Sequence, residues 1–117
     1  MTDFQSALKR ADELGGEGRY FDAHEELEAF WMKAAGDEKI LLQGLIQIAA
    51  GLHRLKLDPL KTDGAFYLLD RGREKLDKTA KLLVPQTLAA LEDALNKIRA
   101  SGAAPESLIF GLKGAHR

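Results

Sequence analysis

The sequence predicts an all-α fold, a single-domain up-and-down bundle of about five helices, and three observations carry that prediction. Apolar residues recur with helical spacing through most of the chain. Glycine and proline fall between the periodic stretches, where helix ends use them. No stretch alternates apolar and polar residues with period two over a useful length, so strands are not expected. At 117 residues the chain is long enough for one modest core and too short for two.

The first helix is expected over residues 3–14, with Phe4, Leu8, Ala11 and Leu14 inward and Gly15 and Gly16 as its stop. The second covers residues 20–35 and ends at Gly36, after which Asp37 is a natural N-cap for the third. That third helix, residues 38–57, ends before Asp58 and Pro59 and is apolar nearly all the way round. Leu41, Leu45, Ile48, Leu52 and Leu55 lie on one side, with Leu42, Ile46, Ala49, His53 and Leu57 on another, as suits the central helix of a bundle. A fourth helix over residues 63–83 carries Phe66, Leu69, Leu76, Leu82 and Leu83. Pro85 opens a fifth as a first-turn proline, with Leu88, Leu91, Leu95 and Ile98 inward, and Gly102 closes it. One more short turn over residues 105–112 would pack Leu108, Ile109 and Phe110. Short helix-to-helix connections make antiparallel neighbours the default.

Composition narrows the partners. Seventeen basic against 18 acidic residues leave a formal charge of -1, which removes the electrostatic case for nucleic acid or an anionic membrane surface. With no cysteine, thiolate catalysis, disulfides and cysteine-based metal sites are excluded. Residues 41–57 are interrupted by Gln43, Gln47, His53, Arg54 and Lys56 and fall short of a bilayer span, and the charged start of the chain lacks a signal-peptide core. Cytoplasmic residence is the expectation. Phe30, Leu42 and Leu57 extend the apolar girth; other helices are expected to cover them, the alternative being a homo-oligomer contact.

The most informative feature is in the second helix. A helical projection puts Tyr20, Phe21, His24, Leu27, Glu28, Trp31, Met32 and Ala35 on one face, with Asp22, Glu26 and Lys33 opposite. His24 and Glu28 therefore point where a core is expected, and a buried carboxylate needs a proton, a partner or a cation. On the third helix Gln43, Gln47 and Arg54 form a polar strip flanked by Gly44, Ala50 and Gly51. The strip is either a solvent edge or the wall that faces His24 and Glu28. If the chain reverses around Gly36 and Asp37, Glu28 comes level with Ile46 and Gln47, Trp31 with Gln43, and His24 with Ala50. Gln47 is then the expected neutral partner of Glu28.

Gly18, Tyr20, Phe21, Asp22, Ala23, His24, Glu25, Leu27, Glu28 and Trp31 form one recognisable run, and Gln43, Gly44, Leu45, Ile46, Gln47, Ala49 and Ala50 a second. With Gly64, Ala65, Leu68 and Leu69 added, the chain resembles the small all-helical family called domain of unknown function 309, sometimes labelled predicted metal-dependent hydrolases. The resemblance runs from the second to the fourth helix and implies a helical-bundle fold first and an activity second. Asp22 stands where a glutamate is more usual, and the loop over residues 59–63 lacks an Asn-containing turn.

Two chemistries stay open. In one, His24, Glu28, Trp31, Gln43 and Gln47 are a hydrogen-bonded centre or a pocket for a small polar ligand, without turnover. In the other, His24 and Glu28, one turn apart on one face, bind a divalent ion such as zinc, iron or manganese, and Glu25 serves as outer-shell partner or general base for a hydrolase. The pattern is not that of a zincin, because Glu28 stands where the second histidine would be. His53 is expected to project away from Gln47, and His116 lies in the tail. Ser6, Ser101 and Ser107 fall outside the cluster, so no nucleophile stands out. The sequence leaves enzyme and binding module both open.

Overall fold

The computed structural model describes residues 2–107 and Leu112, and it is an all-α bundle with no β-strand among the described residues. Leu108, Ile109, Phe110 and His116 lie outside the described residues. Helix α1 spans Asp3–Gly16, α2 Tyr20–Lys33, α3 Gly36–Leu57, α4 Asp63–Lys78 and α5 Pro85–Ser101, with a 3-10 turn at Ala80–Leu82. No helix among the described residues is long and apolar enough to cross a membrane.

Thr2 starts α1 with a reciprocal cap: its hydroxyl accepts from the Gln5 amide, and the Gln5 side chain accepts from the Thr2 amide. Phe4, Ala7, Leu8, Ala11 and Leu14 form its buried stripe. The turn into α2 needs Gly18 at φ 72°, where a side chain would also collide with the Glu106 carbonyl. Tyr20 then anchors the start of α2 from inside the core, its hydroxyl donating to the Pro105 carbonyl at 2.7 Å. Burial pushes that phenol up to about 12 from an ordinary value of 10.0.

The buried stripe of α2 differs from the expected one. Tyr20, Ala23 and Leu27 are buried, with Phe30, Trp31 and Ala34 packed partly against the core. That line lies roughly a quarter-turn from the apolar face read off the sequence, taking about 100° per residue. Phe21 and Met32 consequently sit in solvent, 50% and 74% exposed. The cause is Ala23, whose small side chain joins Leu14 and Ala49 and lets α2 settle against α1 and α3. A face chosen for close approach won over the face richest in large apolar groups.

Helix α3 is central, packing on α2 on one side and α4 on the other. Ala35, not Asp37, is its N-cap, and Asp37 and Glu38 fall in the first turn, where their charge suits the positive end of the helix. The α3/α4 contact is made by small residues. A Cβ at Gly72 would stand 2.6 Å from the Gly44 carbonyl oxygen, and one at Gly51 3.0 Å from the Ala65 carbonyl oxygen. Phe30 and Leu42 are covered as expected, Phe30 partly and Leu42 wholly, but Leu57 is not and stays 70% exposed.

Helix α4 ends five residues before the expected point. Buried Thr79 turns its hydroxyl back onto the Lys75 carbonyl at 2.7 Å, the chain tightens into the 3-10 turn, and Val84 is extended as the residue before a proline must be. Pro85 opens α5, which buries Leu91, Leu95 and Ile98 and ends at Gly102 with φ 69°.

Candidate functional site

The rotation of α2 decides what becomes of the polar residues. Glu28 is turned out of the core, its side chain 49% exposed, so the buried carboxylate read from the sequence is corrected to a surface one. Gln47 is not its partner. The Gln47 carbonyl accepts from the Lys75 ammonium at 2.9 Å across the α3/α4 contact, and among the described residues no hydrogen bond joins Gln47 to Glu28. Burial of Lys75 lowers its pKa, as do Arg71 and Lys78 nearby. Gln43 is half-buried on the same strip and makes no described hydrogen bond to the His24 group. Trp31 is covered from outside by the Lys39 ammonium, 4.5 Å from the ring centroid, and its indole nitrogen is buried without a partner.

What the structure does bring together is His24, Glu25 and Glu28. One ligand atom from each lies within 4.8 Å of the other two. The arrangement follows from helix geometry: Glu28 is one turn beyond His24, with its Oε2 3.9 Å from the imidazole Nε2, and Glu25 is the next residue, with its Oε1 3.8 Å from Nδ1. Both separations exceed hydrogen-bond length, and Nδ1 is buried without a hydrogen-bond partner among the described residues. Charge is also unanswered. Glu13, Glu17, Glu26 and Glu74 each pair with an arginine, whereas among the described residues neither Glu25 nor Glu28 has a lysine or arginine within ion-pair distance. Among the described residues the three side chains thus form a two-carboxylate group around a histidine, with no lysine or arginine in ion-pair contact.

The sequence places Phe21 on the same face of α2 as His24, but the approach of His53 to it was not read from the sequence. Phe21 stacks on His24, with ring centroids 6.1 Å apart, and tilts against His53 at 5.2 Å. Phe21, His24, Ala50, His53 and Arg54 line an open cavity of about 130 Å³. The register expectation holds here, since His24 and Ala50 share this cavity. It was also the signal that could have found His53, which is three residues further along α3 and within one turn of Ala50. Its projection away from Gln47 points it toward Phe21, not out of the site.

A donor set of one imidazole and two carboxylates suits a divalent first-row ion such as zinc, manganese or ferrous iron. Nε2 of His24 and the Glu28 carboxylate fit such an ion, with Nδ1 and Glu25 beside them. His24 offers one nitrogen to a metal, so an ion on Nε2 beside Glu28 leaves Glu25 next to Nδ1, the position from which a carboxylate orients a ligating histidine.

Comparison with known families agrees with the motif. The model of the family described as domain of unknown function (DUF309) matches residues 8–62, from within α1 to the loop before α4, a little under half of the chain. The chain is similar to that family over the helices that carry His24, Glu25 and Glu28, while Gly64, Ala65, Leu68 and Leu69 fall beyond the match. No curated protein and no solved structure matches the chain.

Proposed function

We propose that this protein is a divalent-metal-binding domain with hydrolytic activity, in which His24 and Glu28 hold the ion and Glu25 fixes the imidazole. The observation that carries this reading is the convergence of three ligand atoms within 4.8 Å, on two carboxylates that meet no lysine or arginine among the described residues and an imidazole whose Nδ1 has no hydrogen bond there. Because the group sits at the surface of α2, positions around the ion are left for water and substrate. A bound ion supplies Lewis acidity and a water acidified toward neutrality. The chain's own residues do the rest. Once the 3.8 Å gap closes, Glu25 accepts a hydrogen bond from Nδ1–H, which keeps the proton on Nδ1 and sets the tautomer that presents Nε2. Phe21 and Ala50 provide an apolar wall beside the group. Gln43 and Gln47 are assigned no direct role, because Gln47 is already engaged by Lys75.

The test is elemental analysis of protein purified without an affinity tag, joined to a titration of chelator-treated protein with zinc and manganese. About one ion per chain is expected, lost in His24→Ala with the fold intact. Absence of saturable binding for either ion, or equal binding by His24→Ala, would remove the metal site and the hydrolase with it.

A further inference from the structure

Arg54 is the joint between two cavities. It lines the 130 Å³ pocket beside His24, and it also lines a second of about 410 Å³ with Leu60, Lys61, Thr62, Asp63 and Gly64. We infer that Arg54 is the anion anchor of one continuous groove, whose ligand is a small molecule with a phosphate or carboxylate end and an apolar body lying against Phe21 and Ala50.

The first argument is pairing. Among the described residues Arg10, Arg19, Arg71 and Arg99 contact carboxylates and Arg73 contacts the Asn96 amide oxygen, while Arg54 has no such partner. An exposed guanidinium, with its planar fork of donors, matches the two oxygens of an oxyanion. The second is placement. The guanidinium lies over Gly64, so close that a Cβ there would stand 2.8 Å from one terminal nitrogen and 2.9 Å from the other, and glycine leaves it that seat. The third is charge around it: Lys61 lines the same cavity and Asp63 is the one carboxylate among its lining residues, so the balance there is positive, in contrast to the negative group of Glu25 and Glu28 around His24. The fourth is size. A cavity of about 150 Å³ holds a benzene ring, and the pocket between the two poles is about 130 Å³ and open on one side. A ligand anchored at Arg54 thus places its body on Phe21 and its far bond at the His24 group. The anion site is independent of any metal; reading its ligand as the substrate rests on the metal-site proposal.

The test uses chelator-treated full-length protein, followed by amide and imidazole NMR shifts, with phenyl phosphate, benzoate and phenol as probes. Phenyl phosphate or benzoate is expected to shift Phe21, His53 and Gly64 saturably, with phenol at least about tenfold weaker; the stronger anion tells phosphate from carboxylate. Arg54→Gln, at an exposed position, is expected to keep the fold and lose about tenfold or more in anion affinity, whereas Arg71→Gln, an exposed α4 arginine paired with Glu74 away from both cavities, leaves that affinity within about threefold. Gly64→Ala is expected to weaken it as well by displacing the guanidinium. No saturable shift with either anion, or an affinity unchanged in Arg54→Gln, overturns the proposal. A zinc titration followed at His24 in the same samples separates the two ideas. Anion binding without a metal response leaves Arg54 standing and sinks the metal reading, and a metal response without anion binding does the reverse.

Discussion

On the side of α3 that faces α4, Gly44 and Gly51 meet Gly72 and Ala65, backbones touch, and the Gln47 amide takes a lysine from the neighbouring helix. On the side that faces the N-terminal half of α2, Phe21 and His53 line an open cavity, an imidazole nitrogen is buried without a partner, and two carboxylates and an arginine have no lysine, arginine or carboxylate counter-charge among the described residues. The first side is built for approach and closes its polar accounts. The second is left incomplete among the described residues, and incompleteness of that kind is what a ligand can relieve.

The largest expected effect lies on the closed side. Gly72→Val puts a branched side chain against the Gly44 carbonyl oxygen and Ile48, at 2.6 and 2.7 Å from its Cβ. A loss of about 3 kcal/mol in denaturant unfolding is expected. Gly64→Ala, where the Cβ meets only the movable end of Arg54, is expected to stay within about 1 kcal/mol of the parent. Similar losses at both glycines would erase the distinction between the two sides.

Next come changes on the open side. Glu25→Gln is expected to weaken zinc or manganese binding by about 10–100-fold in calorimetric titration while leaving the metal-free unfolding midpoint nearly unchanged. A large stability loss with unaltered metal affinity would make Glu25 a structural residue.

Tyr20, buried at the start of α2, is expected to give an alkaline transition. Its hydroxyl is held neutral up to about 12 in the folded chain against 10.0 in the open one, so the contribution is complete below pH 10 and is lost as pH rises toward 12. The loss is on the order of 2 kcal/mol in stability followed by circular dichroism. Tyr20→Phe should abolish that part of the pH dependence and cost about 1–2 kcal/mol at neutral pH by stranding the Pro105 carbonyl.

The smallest effect belongs to the lighter α4/α5 contact. A hydrogen bond to Asp77, then burial and the Asp77 charge, raise the Glu92 carboxyl above its usual range, with Arg73 opposing. A folded value above the unfolded one means a stabilising term that is present at acid pH and is lost as pH rises through the raised value. Glu92→Gln is expected to flatten stability between pH 4 and 7, with a gain at pH 7 of about 0.5 kcal/mol or less. An unchanged slope would show that the two carboxyls do not share a proton.

The fold was legible because its signals are local. Pro85 and Gly102 mark the two ends of α5, Gly15 and Gly16 fall within two residues of the end of α1, and α3, apolar on nearly every side, has no stable place except the middle of a bundle. The identity of His24, Glu25 and Glu28 as neighbours was legible for the same reason, since spacings of one and four on a helix fix it. The direction in which they point was not. The apolar moment of α2 favours Phe21 and Trp31, but the rotation was set by how closely Ala23 lets the backbone approach Leu14 and Ala49, a quantity that depends on three helices at once. That quarter-turn moved Glu28 to the surface, gave Gln47 to Lys75 and joined His53 to Phe21. The sequence by itself determined which residues lie along each helix and how far apart; tertiary packing decided which of them face a neighbour, because close contact between backbones outweighs the average polarity of a helix face.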